Sequence, residues 1–135
     1  MKVAVCLDDA NGMMFNHRRQ SRDRILLEDM IRECGDRPLF INEYSEKLLG
    51  NLENKVVSGD FLTQAQEEDL CFVEDQPLLP VEDSIRKLII YRWNRLYPGD
   101  QFFDIPLEEH GWKLISTTEF AGSSHEKITR EDYVR

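Results

Sequence analysis

Residues Lys2 to Leu7 read Lys-Val-Ala-Val-Cys-Leu, a short run in which apolar residues do not alternate with polar ones. A strand of that kind has to be covered on both faces, which is the position of an inner strand in a largely parallel sheet. Asp8 and Asp9 end the run, and Asn11-Gly12 supplies residues that accept the positive φ of a tight turn. Met13, Met14 and Phe15 follow with neither helical nor strand period, and then come His17, Arg18, Arg19 and Arg22. Read as a loop held over the strand ends, this segment either anchors in the core or meets a ligand.

The next element is a helix. Leu27, Met30, Ile31 and Cys34 fall at i, i+3, i+4 and i+7, and Gly35 stops the pattern. Ser21 is placed to cap it, and Asp23 falls in the first turn, where a carboxylate suits the helix dipole. The arginines do not suit it, because cations at a helix N-terminus oppose that dipole. Arg18 and Arg19 beside free backbone N–H groups fit an anion; the competing reading pairs them with the abundant carboxylates on a solvated face.

Beyond this point the chain alternates strands with short helices. Strands are expected over residues 37–41, 55–58, 70–73 and 87–93, a helix over 42–49, and one helical turn over 81–84. Residues 61–68 read equally as a brief helix or a loop. Residues 112–120 and 125–134 are longer and more polar, joined at Gly122-Ser123 as an antiparallel hairpin. The fold class expected is α/β: a mostly parallel central sheet with a C-terminal antiparallel hairpin and few short helices, in one domain spanning residues 1–135.

A formal charge of −9 argues against a nucleic-acid partner, which needs a basic surface to neutralise phosphates. No run approaches the roughly 20 apolar residues that cross a bilayer, so no membrane partner is expected. Cys6, Cys34 and Cys71 are odd in number and lack CxxC spacing. Three reduced thiols in a cytoplasmic protein is the economical reading, and with only three histidines no metal site is expected.

The order of landmarks resembles dihydrofolate reductase, reduced in size. Asn11-Gly12-Met13 and Phe15-Asn16 after the opening strand are similar to that family's flexible substrate loop and its Trp-Asn pair. Pro38 to Ile41 leading into a short helix is similar to its second strand and cofactor-binding helix. Lys87 to Ile90, then Pro98-Gly99-Asp100, then Phe103, are similar to its strand and Gly-Asp-Thr-x-Phe. The resemblance implies an NADPH-dependent reductase with an acidic residue just inside the first helix.

This chain departs from that pattern. Counting from Phe15, the acid's place falls on Gln20, and Asp23 lies nearly one helical turn later. Gln101 stands where the family has threonine, and Glu43 lies near the family's phosphate-binding arginine. The Gly-Gly pair that meets the cofactor pyrophosphate falls on Glu74-Asp75. A carboxylate about 4 Å from a phosphate charge at an effective dielectric near 20 costs roughly 4 kcal/mol. That is roughly a thousandfold in affinity, so a nicotinamide dinucleotide in the usual pose is disfavoured.

Ser124, His125 and Glu126 form a second polar stretch. In an extended strand they alternate between faces and form no relay among themselves, which leaves His125 to pair with Asp8, Asp9 or His17. The reading preferred from the sequence is a non-reductase of this fold that binds a small anionic or nucleotide-like ligand. Its binding residues are Asn11, Phe15, Asn16, Arg18, Arg19, Gln20, Ser124 and His125, and its candidates for catalysis are Asp23, His17 and His125. The alternatives are a reductase using NAD(P)H with Asp23 as a relocated acid, and an interaction module whose Met13–Phe15 segment docks a partner or a second copy of the chain.

Overall fold

The computed structural model describes residues 1–135. The chain runs β1 (Lys2–Leu7), β2 (Gly12–Phe15), β3 (Arg18–Arg19), α1 (Arg24–Cys34), β4 (Leu39–Ile41), α2 (Glu43–Glu46) and β5 (Lys55–Val57). It continues through α3 (Phe61–Gln64), β6 (Leu70–Phe72), a 3-10 helix (Leu79–Ser84), β7 (Lys87–Arg92), β8 (Gln101–Phe102), β9 (Lys113–Phe120) and β10 (Ile128–Val134). β1 is the middle strand of a seven-stranded sheet of order β5-β4-β6-β1-β7-β10-β9. It pairs in parallel with β6 and β7, while β10 runs antiparallel to both β7 and β9. No helix is long and apolar enough to cross a membrane.

The two faces of β1 feed two cores, as its unbroken apolar run requires. Val3, Val5 and Leu7 pack with Met13, Phe61, Leu88 and Ile90 on one side. Ala4 packs with Leu26, Met30, Ile41 and Tyr91 on the other. Leu26 and Met30, both fully buried, dock α1 on that second face. Burial of each contributes roughly 1.5–3 kcal/mol. Met30 is thus buried as expected, Leu26 takes the buried place expected of Leu27, and Leu27, Ile31 and Cys34 are half-buried beside them.

Three expectations are corrected. The N-cap of α1 is Asp23, not Ser21: its carboxylate accepts from the backbone N–H groups of Ile25 and Leu26 at 3.0 and 3.1 Å. Met13 to Phe15 is not a loop. It lies in β2, the middle strand of a small second sheet of order β3-β2-β8, with Met13 and Met14 buried in the core and Phe15 47% exposed. The turn between β2 and β3 is the two-residue Asn16-His17, with φ of 51° and 61°, closed by the Phe15–Arg18 pair. The helix expected over 42–49 is a single α-helical turn, Glu43–Glu46, capped by Asn42.

The parallel strands β4, β6, β1 and β7 end at the same edge of the sheet, placing Asn42, Glu74, Asp8 and Trp93 just beyond them. Ligands of open α/β sheets bind outside the carboxyl ends of such strands.

Candidate functional site

Glu74, two residues past β6, is buried. Its carboxylate accepts from Arg19 Nε at 2.8 Å and Arg19 Nη2 at 3.0 Å, and from Ser45 Oγ at 2.8 Å. The Arg19 guanidinium also lies over the Tyr44 ring, 4.7 Å from its centre. The hydrogen bonds to Glu74 hold Arg19 still more firmly protonated. A two-pronged pairing of this kind uses the fork geometry that would otherwise grip a phosphate or carboxylate ligand. Asp75 is tied down as well, accepting from Asn42 Nδ2 at 2.9 Å.

Asp8 closes the end of β1. Its Oδ1 accepts from the N–H groups of Ala10 and Gly12 at 2.8 and 2.7 Å, and its Oδ2 from Gln20 Nε2 at 3.0 Å and Tyr97 N at 3.3 Å. A Cβ on Gly12 would come within 2.9 Å of this carboxylate, so only glycine lets the strand and loop close on it. Gln20 Nε2 also donates to the Pro98 carbonyl at 3.2 Å, which fixes the amide orientation and leaves Oε1 buried without a donor.

Asp23 and the Gly122–Lys127 turn make the third group. Asp23 Oδ2 accepts from Ser124 N at 2.7 Å and from Ser124 Oγ at 3.0 Å. Burial would raise its pKa, but the hydrogen bonds from Ser124, Ser123 and Leu26 outweigh burial and hold the carboxyl far below the usual range. Gly122 is required here too, since a Cβ would run into the Asp23 carboxylate. His125 is buried and stacked on Trp93, ring centres 4.6 Å apart. Its Nε2 meets Tyr97 Oη at 2.7 Å, its Nδ1 meets Ser124 Oγ at 2.8 Å, and Asp23 Oδ2 lies 3.6 Å from Nδ1.

No family model matches this sequence, and comparison with curated proteins gave no match. Among solved structures, the chain is similar to dihydrofolate reductase from Enterococcus faecalis complexed with NADP(H) and RAB-propyl. The TM-score is 0.70 at 13% identity, over 100% of this chain and 96% of that one. The chain has a dihydrofolate reductase-like fold.

Within the dihydrofolate reductase-like fold, Asp23 stands at the head of the first helix as its N-cap, and Gln20 lies three residues before it. Between β1, β6 and α1 the structure leaves a cavity of about 20 Å³, bordered by Cys6, Met13, Gln20, Asp23, Glu74 and Trp93. That is room for one water. Burial, then the nearby Glu74 and Asp23 charges, pushes the Cys6 thiol up and keeps it unreactive.

Two open clefts lie near the Tyr97–His125 pair, one bordered by Tyr97 and the other by His125. One, of about 260 Å³, is bordered by Phe15, Asn16, Arg18, Arg19, Gln20 and Tyr97, five of them candidates from the sequence. The other, of about 720 Å³, gathers Asn94, Arg95, Ser124, His125, Glu126 and Lys127. Asn11 borders neither, and its Oδ1 instead accepts from Arg92. His17 sits exposed at the hairpin tip, and the hydrogen bonds of His125 go to Tyr97 and Ser124 rather than to Asp8, Asp9 or His17. Ser124 and His125 do join, contrary to the alternating-face argument, because Gly122–Lys127 is a turn and β10 starts only at Ile128. Nothing in the spacing of Tyr97 and Trp93 announces their pairing with His125.

Proposed function

We propose that this chain is a dihydrofolate reductase-like domain that binds a small anionic or nucleotide-like ligand beside Tyr97 and does not act as a reductase. One electrostatic observation carries the binding reading. Of eleven arginines in a chain of net charge −9, eight are ion-paired. The three without a carboxylate partner are Arg18, Arg22 and Arg95, and they border the two clefts and the small cavity at the strand ends. Unpaired guanidinium groups gathered at one edge of an acidic protein suit a negatively charged guest. Arg19 drops out of the sequence-derived set because Glu74 already occupies it.

The solved neighbour was captured with NADP(H). The residues here do not fit that group. Glu74, clasped by Arg19, and Asp75 stand past the end of β6, and the cavity between β1, β6 and α1, about 20 Å³, is far below what a nicotinamide ring needs. Asp23, held ionised by its donors, has no proton to give a substrate at neutral pH.

Thermal melting with inorganic pyrophosphate, nucleoside phosphates and folates tests the reading. A rise in Tm with a phosphorylated anion is expected, weakened about tenfold or more in apparent Kd by Arg18→Ala or Arg95→Ala. No shift with any of them would remove the binding reading. The competing reductase reading draws on Asp23 at the head of α1, and saturable NADPH fluorescence would restore it.

A further inference from the structure

The four tyrosines of this chain meet different neighbours. Tyr44 Oη accepts from the backbone N–H of Arg19 at 2.8 Å. Tyr91 and Tyr133 donate to the carboxylates of Asp29 and Glu131 at 2.6 and 3.2 Å, and burial followed by those carboxylates raises both phenols above the ordinary range. Tyr97 alone has its hydroxyl against an imidazole, at 2.7 Å.

The network assigns the tautomer of that imidazole. Ser124 Oγ has one proton, and it lies 2.6 Å from the Arg22 carbonyl oxygen and 3.0 Å from Asp23 Oδ2, both of which only accept. The proton goes to one of them, so Ser124 turns a lone pair to His125, and Nδ1 must carry the hydrogen across their 2.8 Å contact. Nε2 is then the free lone pair, aimed at the Tyr97 hydroxyl. The ring cannot swing away, being stacked on the buried Trp93. An imidazolium formed there would have the Asp23 carboxylate 3.6 Å from Nδ1.

We propose that Tyr97 is an acid/base residue, activated by His125, and that the domain catalyses proton transfer on an anionic substrate bearing an acidic C–H or O–H. This rests on the reading that the cleft Tyr97 borders takes an anion. In the step, the Tyr97 proton moves to His125 Nε2, and the phenol oxygen takes the substrate's proton. The imidazolium keeps N–H contacts to Tyr97 and Ser124, and the reverse transfer restores the starting state. His125, Ser124 and Asp23 act through Tyr97 as positioning residues; Arg18, in the cleft that Tyr97 borders, holds the substrate's charge.

The experiment treats the intact chain with benzenesulfonyl fluoride and follows each tyrosine by peptide mass spectrometry. An activated phenol forms the S–O bond as S–F breaks, its proton passing to Nε2 and fluoride leaving. Tyr97 is expected to be sulfonated fastest, with the rate falling roughly a hundredfold in His125→Ala and returning when free imidazole is added. A merely structural histidine would show no such rescue. Should His125→Ala fail to fold by circular dichroism, His125→Gln keeps a polar side chain without a base, and the same loss is expected. Tyr97 labelling no faster than Tyr44, or unchanged in a folded His125 variant, overturns the proposal. Pyrophosphate separates the two readings: fast labelling without protection or a Tm shift tells against the anion site alone. A Tm shift without fast labelling tells against Tyr97 alone.

Discussion

Asp23 accepts hydrogen bonds on both of its oxygens, from the first turn of α1 and from the turn before β10, so one side chain joins segments 101 residues apart. Its folded-state pKa lies below its unfolded one, so the unfolded chain binds the proton more readily. Asp23 therefore adds stability above the ordinary carboxylate range that is lost as pH falls from about 4 downward. Asp23→Ala should cost about 2–4 kcal/mol at neutral pH, since it removes a cap and strands buried N–H groups. Urea unfolding of Asp23→Asn and wild type between pH 7 and pH 3 should show the variant losing part of the acid-side slope. Ser21 looked the better cap because serine is favoured there. The donors that cap with Asp23 are local, Ile25 and Leu26, but the second set that fixes its other oxygen, from Ser124, lies far along the chain and leaves no local trace.

At the scale of elements, α1 is attached to the sheet partly through charge. Arg130 on β10 reaches Asp29 and Glu33 on α1 at 3.0 Å each, and Asp132 on its own strand at 2.8 Å. Tyr91 Oη donates to Asp29, and Lys87 lies 3.1 Å from Asp132. Burial opposes the charges on Arg130 and Asp132, and their mutual hydrogen bonds overcome it, raising the one pKa and lowering the other. Arg130→Met leaves three carboxylates without their shared cation and should destabilise by roughly 3–5 kcal/mol, read from the urea midpoint. The helix itself was legible from its period, and so were β1, β6, β7 and the closing hairpin, whose apolar content or turn residues are local. The small sheet was not. β3 has two residues and β2 four, too few to show a period, and the turn between them uses Asn16-His17 where Asn-Gly would have been recognised.

For the whole molecule, the large sheet has a short edge strand, β5, and a long one, β9, each paired on one side only. Leu114 and Ile115 on β9 are exposed, yet the register slips where Leu114 and Ser116 face Tyr133 and Asp132, leaving Ile115 as a bulge. Bulges and edge charges, here Lys113 and Glu119, keep such strands from pairing with other chains. Deleting Ile115 together with Lys113→Val should move the protein toward dimers or larger species, measured by light scattering after size exclusion; an unchanged mass would show that the edge is guarded by something else. The rim where the parallel strands finish carries the unpaired arginines instead, so that rim and the edge strand differ in what they invite.

The Arg19–Glu74 clasp also constrains how the site can change. Removing Glu74 alone strands a half-buried guanidinium, and removing Arg19 alone strands a buried carboxylate; each single step costs several kcal/mol, whereas the paired change need not. Once both side chains are in place they stand behind a ratchet, since any path that changes them one mutation at a time passes through a destabilised intermediate.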